Sequence, residues 1–352
     1  MNEKIKIGIN GLGRIGRHIL RLAMKDPRIK VVGINDINPD IGNWAYTINY
    51  DTIYGKSKLK FIKDSNKLRC NEQTIETSNK KNISQVDWDK WMVDIVVDCT
   101  GVKKNVLNSR KLVDKDIVDK VLISHSPDEV DFTMILGVNE DEYDPKNHNI
   151  IASSICDATA IAPITKIINN SYGIKNGYVT TLHPWLNYQN LMDGPSSSWS
   201  MPDKVYHHYA LGRSSIGNMI PKPTSAMEAV FKVIPSLSKE NIGSFSYRTP
   251  TQIIASADIT YFTNRDIDKK SLIDLFLNYS KKQKFPIIKI SNEPLVSLDF
   301  VGEEYSAIID SRWINVIDKN LLKIVLWYDN EYGYASNMIN QINYIGNNLK
   351  IK

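Results

Sequence analysis

Residues 4–25, KIKIGINGLGRIGRHILRLAMK, decide the fold of this chain. Residues 4–10 alternate and then turn apolar ahead of a run of glycines, and Ile19, Leu20, Leu22 and Ala23 recur at helical spacing. The segment predicts strand, tight turn, helix. Gly11, Gly13 and Gly16 stand in the spacing that permits a tight turn, close approach of a pyrophosphate and close helix packing. A second β-branched run, VVGIND at 31–36, completes a βαβ unit and ends on Asp36, twenty residues beyond Gly16. Helix-terminal amides would face the phosphates of a dinucleotide. Asp36 would accept hydrogen bonds from the adenosine ribose and repel a 2′-phosphate, so the expected cofactor is NAD rather than NADP.

Working outward, DIVVDCTG at 94–101 and KVLISHS at 120–126 read as short strands buried on both faces, as in a parallel sheet. After Pro163 the pattern changes. YVTTLHPW, GSFSYRTPTQIIASADITYF and LKIVLWYDN read as long alternating strands, whereas TAIAPITKIINNSY and SAMEAVFKVI read as helices. The expected fold class is α/β, with an N-terminal Rossmann dinucleotide-binding domain over 1–153 and an α+β catalytic domain with a mostly antiparallel sheet over 154–333. Residues 194–213, GPSSSWSMPDKVYHHYALGR, lack clear periodicity, and loops of that length are usually functional.

Composition excludes several classes. With 42% hydrophobic and 24% charged residues the chain can fill two cores, and disorder is not expected. A net charge of +5 is spread along the sequence, which argues against a nucleic-acid partner. No apolar run approaches a membrane span, and the N-terminus runs directly into a strand without a signal peptide, so a cytoplasmic protein with no membrane partner is expected. Cys70, Cys99 and Cys156 are odd in number and match neither a disulfide framework nor a zinc site. His207 and His208 are adjacent without a second pair of ligands, so no metal is expected.

The chemistry is carried by IIASSICDATAIAP at 150–163 and VTTLHPW at 179–185. Cys156 precedes a helix-like segment, where a helix N-terminus would lower a thiol pKa, and His183 could form an ion pair with it. A thiolate adds to an aldehyde, a histidine moves its proton, and the thiohemiacetal gives a hydride to nicotinamide. Each residue alone is compatible with a buried cysteine or a core histidine. Together, beside a dinucleotide signature, they point to aldehyde oxidation.

GINGLGRIGR, VVGINDIN, NYDTIYGK, DIVVDCTGV, LGVNEDEYD, TTLHPWLNYQ, MDGPSS, IPKPTSAMEAVFKVIP and WYDNEYGYASN occur in an order that resembles the glyceraldehyde-3-phosphate dehydrogenase family over nearly the whole chain. The resemblance implies a Rossmann domain completed by a C-terminal helix over 334–352, a catalytic domain and a homotetramer. It implies that Cys156 is the nucleophile and His183 its base, that Asn330 meets the nicotinamide carboxamide, and that Tyr334 packs beside that ring. Gly11, Gly13, Arg14, Ile15, Asp36 and Thr100 complete the expected cofactor contacts.

The chain also departs from that family. Where the family has hydroxyl residues around the cysteine, it has Ile155 before and Asp157, Ala158, Thr159 and Ala160 after. Asp157 puts a negative charge where inorganic phosphate should enter, and like charges a few ångströms apart in a partly desolvated site cost on the order of a few kcal/mol. Leu186 and Tyr188 stand where the family has a threonine and an aspartate that hold the substrate phosphate. Arg248 and Thr224 remain, Lys222 adds a charge, and Ala210 and Leu211 occupy the region where a loop arginine should precede Arg213. Trp185, Leu186, Tyr188 and Trp199 could admit a larger aldehyde or simply pack a core or interface. The expected substrate-binding set is Asp157, Thr224 and Arg248. The leading expectation is NAD-dependent oxidation of a sugar-like small-molecule aldehyde with hydrolysis to the acid. The alternatives are a phosphorylating enzyme with remodelled phosphate sites, and an inactive NAD-binding interaction protein.

Overall fold

The structure, a computed structural model, describes residues 4–195 and 209–349. Trp199, His207 and His208 lie outside the described residues. The chain divides into two compact units, the described parts of Met1–Met134, Asp141–Ser154 and Met338–Lys352 on one hand, and of Ile135–Glu140 and Ile155–Asn337 on the other.

The first unit is built on six parallel strands in the spatial order Ile150–Ala152, Lys120–Ile123, Ile95–Asp98, Ile5–Asn10, Ile29–Asn35 and Gln73–Ser78. Phe132–Thr133 extends one edge in parallel, and the antiparallel strands Lys67–Cys70 and Phe61–Asp64 extend the other. Ile95–Asp98 and Lys120–Ile123 are buried at every position, which is why they read as unbroken apolar runs. The winding reverses at Ile5–Asn10, between neighbours Ile29–Asn35 and Ile95–Asp98, and ligands of such sheets bind outside the strand ends at this point. Two glycines inside strands are there for packing. A Cβ on Gly33 would stand 2.1 Å from the Trp91 ring and one on Gly8 2.5 Å from Trp88, so the indoles lie directly on the backbone.

The C-terminal helix runs Tyr332–Gly346, starting two residues before the expected 334 and stopping ahead of Asn347 and Asn348, poor helix formers. Within the first unit its later turns are tied down by Gln341 Nε2 donating to Met134 O at 3.0 Å and Asn343 Nδ2 donating to Asp26 Oδ2 at 2.7 Å.

The second unit holds a sheet in the order Ile220–Lys222, Ile242–Thr249, Ile174–Pro184, Ala255–Thr263, Leu321–Tyr328, Ala307–Asp310 and Ile288–Ser291. Only Ile174–Pro184 with Ile242–Thr249 and Ile288–Ser291 with Ala307–Asp310 are parallel neighbours. The run GSFSYRTPTQIIASADITYF, read as one strand, is two. Ile242–Thr249 and Ala255–Thr263 pair with opposite edges of Ile174–Pro184, and the chain leaves the sheet at Pro250, which has no N–H to give a ladder. The expected helices form as Cys156–Tyr172 and Ala226–Val233. No helix among the described residues is long and apolar enough to cross a membrane.

Candidate active site

Strand register assembles the site in the second unit. His183, next to last in Ile174–Pro184, pairs with Arg248 in parallel register, and Arg248 pairs on its other side with Ile220. Two residues back, Thr181 and Lys222 both pair with Ser246, and Thr181 Oγ1 donates to Ser246 Oγ at 2.8 Å. Side chains two apart on a strand share a face, so an imidazole, a guanidinium and an ammonium are presented together. His183 and Arg248 are buried. Cys156 opens its helix, and its Sγ lies 3.6 Å from His183 Nε2 and 3.7 Å from Asp157 Oδ1. Asp157 Oδ1 is 3.9 Å from His183 Nε2 and accepts a 2.8 Å hydrogen bond from the hydroxyl of Tyr328.

The proton inventory follows from these contacts. His183 Nδ1 stands 2.8 Å from Pro184 O, an acceptor only, so Nδ1 carries the hydrogen and Nε2 offers its lone pair to the thiol. Burial, reinforced by Arg248, lowers the His183 pKa to about 4. Burial and then the Asp157 carboxylate push the Cys156 thiol well above its ordinary value. Both shifts favour the neutral thiol and the neutral imidazole. These directions run against a thiol pKa lowered by the helix: Cys156 does sit at a helix N-terminus, but burial first and Asp157 in the same first turn second act against the dipole. The helix has Ile155 as its N-cap with no side-chain hydrogen bond, so its first amides are not capped by that residue. Ser154, just before, adopts φ +65°, a strained conformation for a residue with a Cβ.

Beside this group Arg248 Nη2 donates to the Tyr188 hydroxyl at 3.2 Å, and its buried Nε has no partner among the described residues. That partner is a hydroxyl and not a carboxylate, so no ion pair among the described residues takes up Arg248. Burial and then Arg248 lower the Lys222 pKa to about 8. Thr224 Oγ1 accepts from Ala226 N at 3.2 Å at the start of a helix, leaving its hydroxyl hydrogen to donate elsewhere. Arg213 is exposed and held by Asp193 at 2.8 Å.

The first unit fits a dinucleotide. Gly11 has φ +93°, and a Cβ on Gly16 would stand 2.0 Å from Gly11 O, so both must be glycine. Around the Cβ position of Gly13 there is open space, and Gly13 caps the helix Arg14–Ala23 without a side-chain bond, leaving room for a phosphate against its amides. Asp36 follows its strand and accepts from Leu12 N at 2.6 Å through Oδ2 and from Asn38 N at 2.9 Å through Oδ1, retaining lone pairs for a ribose. Arg14 is turned to Asp51, its Nη2 donating at 3.4 Å, while Ile15 is half-buried in the same turn. Thr100 Oγ1 donates to Asp98 Oδ1 at 2.8 Å at the end of a parallel strand. In the second unit Asn330 buries an Oδ1 that has no partner among the described residues, as a group awaiting a carboxamide donor would, and Tyr334 is buried.

Residues 5–106 match the family model described as glyceraldehyde 3-phosphate dehydrogenase, NAD binding domain, and residues 155–330 match the one described as glyceraldehyde 3-phosphate dehydrogenase, C-terminal domain. The chain belongs to the glyceraldehyde-3-phosphate dehydrogenase family. It is 34% identical to glyceraldehyde-3-phosphate dehydrogenase of Priestia megaterium and to glyceraldehyde-3-phosphate dehydrogenase 1 of Bacillus subtilis, in each case over 97% of this chain and 98% of the relative. Glyceraldehyde-3-phosphate dehydrogenase 1 of Kluyveromyces marxianus is 33% identical over 97% of this chain and 99% of its own length. As a member of this family the chain is an NAD-dependent oxidoreductase.

Two groups escaped the sequence reading. Tyr328 lies within WYDNEYGY without a signal of its own, and the strict alternation of burial along Leu321–Tyr328 puts it on the inner face. Under the dinucleotide crevice Asn10 Nδ2 donates to Asp98 Oδ1 at 2.9 Å and Asn35 Nδ2 to Asn10 Oδ1 at 2.7 Å. Asp98 Oδ2 is buried with no partner among the described residues, and burial raises the Asp98 pKa to about 6. Each of these residues closes a strand, and that position is the signal that would have found them.

Proposed function

We propose that this dehydrogenase oxidises a sugar-like aldehyde bearing an anionic group, through a thiohemiacetal and a thioester on Cys156, and releases a free acid by hydrolysis. The observation that carries this reading is Asp157, a buried carboxylate held by Tyr328 and 3.7 Å from the sulfur, where an attacking phosphate would have to enter. His183 Nε2 takes the thiol proton as sulfur adds to the carbonyl carbon. The amides of the first helical turn would stabilise the developing oxyanion. NAD, held by the residues named below, would supply the hydride acceptor for the carbinol carbon. Asp157 then draws a proton from water as the oxygen attacks the thioester, the C–S bond breaks, His183 returns its proton to the departing sulfur, and the proton on Asp157 leaves to solvent with release of the acid. Arg248, Lys222 and Thr224 hold the anionic end of the substrate. Gly11, Gly13, Arg14, Ile15, Asp36 and Thr100 hold the dinucleotide, with Asn330 and Tyr334 at the nicotinamide. A cytoplasmic homotetramer belongs to the same reading.

A second reading, phosphorolysis, is favoured by the Nε of Arg248, without a partner among the described residues, beside Lys222; together they could hold a phosphate acceptor. An inactive cofactor-binding role has no use for the Cys156–His183 pair. Product analysis separates the first two. NADH formation from the accepted aldehyde should be insensitive to added inorganic phosphate and yield a carboxylic acid; strict phosphate dependence with an acyl-phosphate product would replace hydrolysis with phosphorolysis.

A further inference from the structure

Cysteine, aspartate and histidine are also the donor set of a zinc ion, and here three such atoms converge. Sγ of Cys156, Nε2 of His183 and Oδ1 of Asp157 form a triangle with edges of 3.6, 3.7 and 3.9 Å. A four-coordinate zinc ion with its usual bond lengths to sulfur, nitrogen and oxygen sets its ligands roughly 3.3–3.6 Å apart, so the triangle closes on an ion with shifts of up to about half an ångström. All three residues lie in one compact unit, two on the first turn of a long helix and one on a central strand.

The surroundings are those of a ligating set. The Nδ1 hydrogen of His183 is held by the Pro184 carbonyl at 2.8 Å, which leaves Nε2 as the donor atom and fixes the ring. Tyr328 donates to the Asp157 carboxylate, an outer partner of the kind that orients a metal-binding carboxylate. His183 and Asp157 are buried while Cys156 is partly open, so one face remains for entry and for a water as fourth ligand. The nearby cations Lys222 and Arg248 oppose a metal, but a thiolate and a carboxylate neutralise a divalent charge.

We propose that Cys156, Asp157 and His183 form a binding site for one zinc-type divalent cation, depending on the aspartate that follows the cysteine. Sequence spacing hides it, because a Cys-Asp pair and a histidine 27 positions on match no zinc pattern. On binding, the thiol proton leaves to solvent and its sulfur lone pair is donated to the ion, one proton released per ion. The ion and a substrate carbonyl cannot share that lone pair, so an occupied site is a silenced one. This last consequence rests on Cys156 being the nucleophile; the binding itself does not.

Titration of the full chain with zinc chloride against a chromophoric chelator should give one ion per chain, with one proton released. Cobalt(II) in its place should show a thiolate-to-cobalt charge-transfer band and the visible intensity of a four-coordinate site. Cys156→Ser should abolish that band, and Asp157→Asn should weaken binding by more than the roughly 10–100-fold cost of disturbing an outer partner. NAD binding by each variant checks its fold, and carboxymethylation of Cys156 in folded wild-type protein is a second route to the same ligand. Cobalt bound without the charge-transfer band, a band that survives carboxymethylation, or equal affinity in a folded Asp157→Asn overturns the site. Chelator-reversible loss of NADH formation supports both the site and the nucleophile; tight, thiolate-bound metal with undiminished activity keeps the site and removes Cys156 as nucleophile.

Discussion

The helix that begins at Arg14 and the helix that begins at Cys156 start in the same way and end up with opposite tasks. Each is preceded by an extended N-cap without a side-chain hydrogen bond, Gly13 in one and Ile155 in the other. The first has no acidic residue in its opening turn and open space over Gly13, so its opening amides suit a pyrophosphate. The second carries Asp157 in its opening turn, already drawn to the same dipole. An uncapped helix end invites an anion only while the chain has not supplied one. That difference separates a cofactor site typical of the family from an acyl site that departs from it.

The most severe way to test this separation is Cys156→Ser. An alcohol is a far poorer nucleophile at neutral pH, so turnover should vanish while NAD affinity, set at the Gly13 end, stays. Residual steady-state NADH formation would remove the thioester from the mechanism. His183→Asn should come next, lowering kcat by roughly 10²–10⁴ with little change in NAD affinity, since the amide cannot take the thiol proton. A loss confined to KM would make His183 a binding residue. At the other helix, Asp36→Ala removes both a ribose acceptor and a charge facing the 2′-phosphate position. Repulsion of about 1–3 kcal/mol at such range corresponds to about a ten- to hundredfold shift in preference toward NADP. An unchanged NAD to NADP ratio of kcat/KM would take the ribose away from Asp36.

The two ends were not equally legible in the sequence. Around Gly11, Gly13 and Gly16 the residue types are dictated by backbone geometry, by a left-handed φ and a helix packed onto a carbonyl, so the pattern can be read without the fold. Around Cys156 the neighbours come from distant strands. His183 and Arg248 meet because two parallel strands share a register, and Tyr328 reaches Asp157 across 171 positions of sequence. Composition and periodicity carry no register, which is why Asp157 could be identified as foreign to the family while its partner could not. The same limit split one apparent strand into Ile242–Thr249 and Ala255–Thr263, since nothing local says that a third strand lies between them. The direction in which the thiol is shifted is hidden for a related reason: helix position is visible in sequence, but the desolvation that raises the thiol is not.

The smallest expected effect concerns groups whose titration burial shifts, His125 and Asp98 in the first unit and His183 in the second. Burial lowers the pKa of His125, at the end of a parallel strand of the first unit, and of His183 in the second, each to about 4. An unfolded histidine titrates near 6.5, so below that pH the unfolded chain takes up protons the folded chain refuses. Stability should therefore fall as the pH drops from about 6.5 toward 4, and level off below it. At pH 5 each histidine costs about 2 kcal/mol by this linkage. Asp98 works in the other direction: raised to about 6, it destabilises the fold as the pH rises from its unfolded value through 6, and acidification from pH 7 to 5 returns on the order of 1 kcal/mol. The net slope is a loss on acidification. His125→Leu should flatten the decline in unfolding free energy between pH 7 and 5 by about 2 kcal/mol, and Asp98→Asn should steepen it. Comparing each protein with itself at the two pH values cancels the pH-independent cost of the substitution. An unchanged slope in His125→Leu would mean that its imidazole is hydrated and titrates normally.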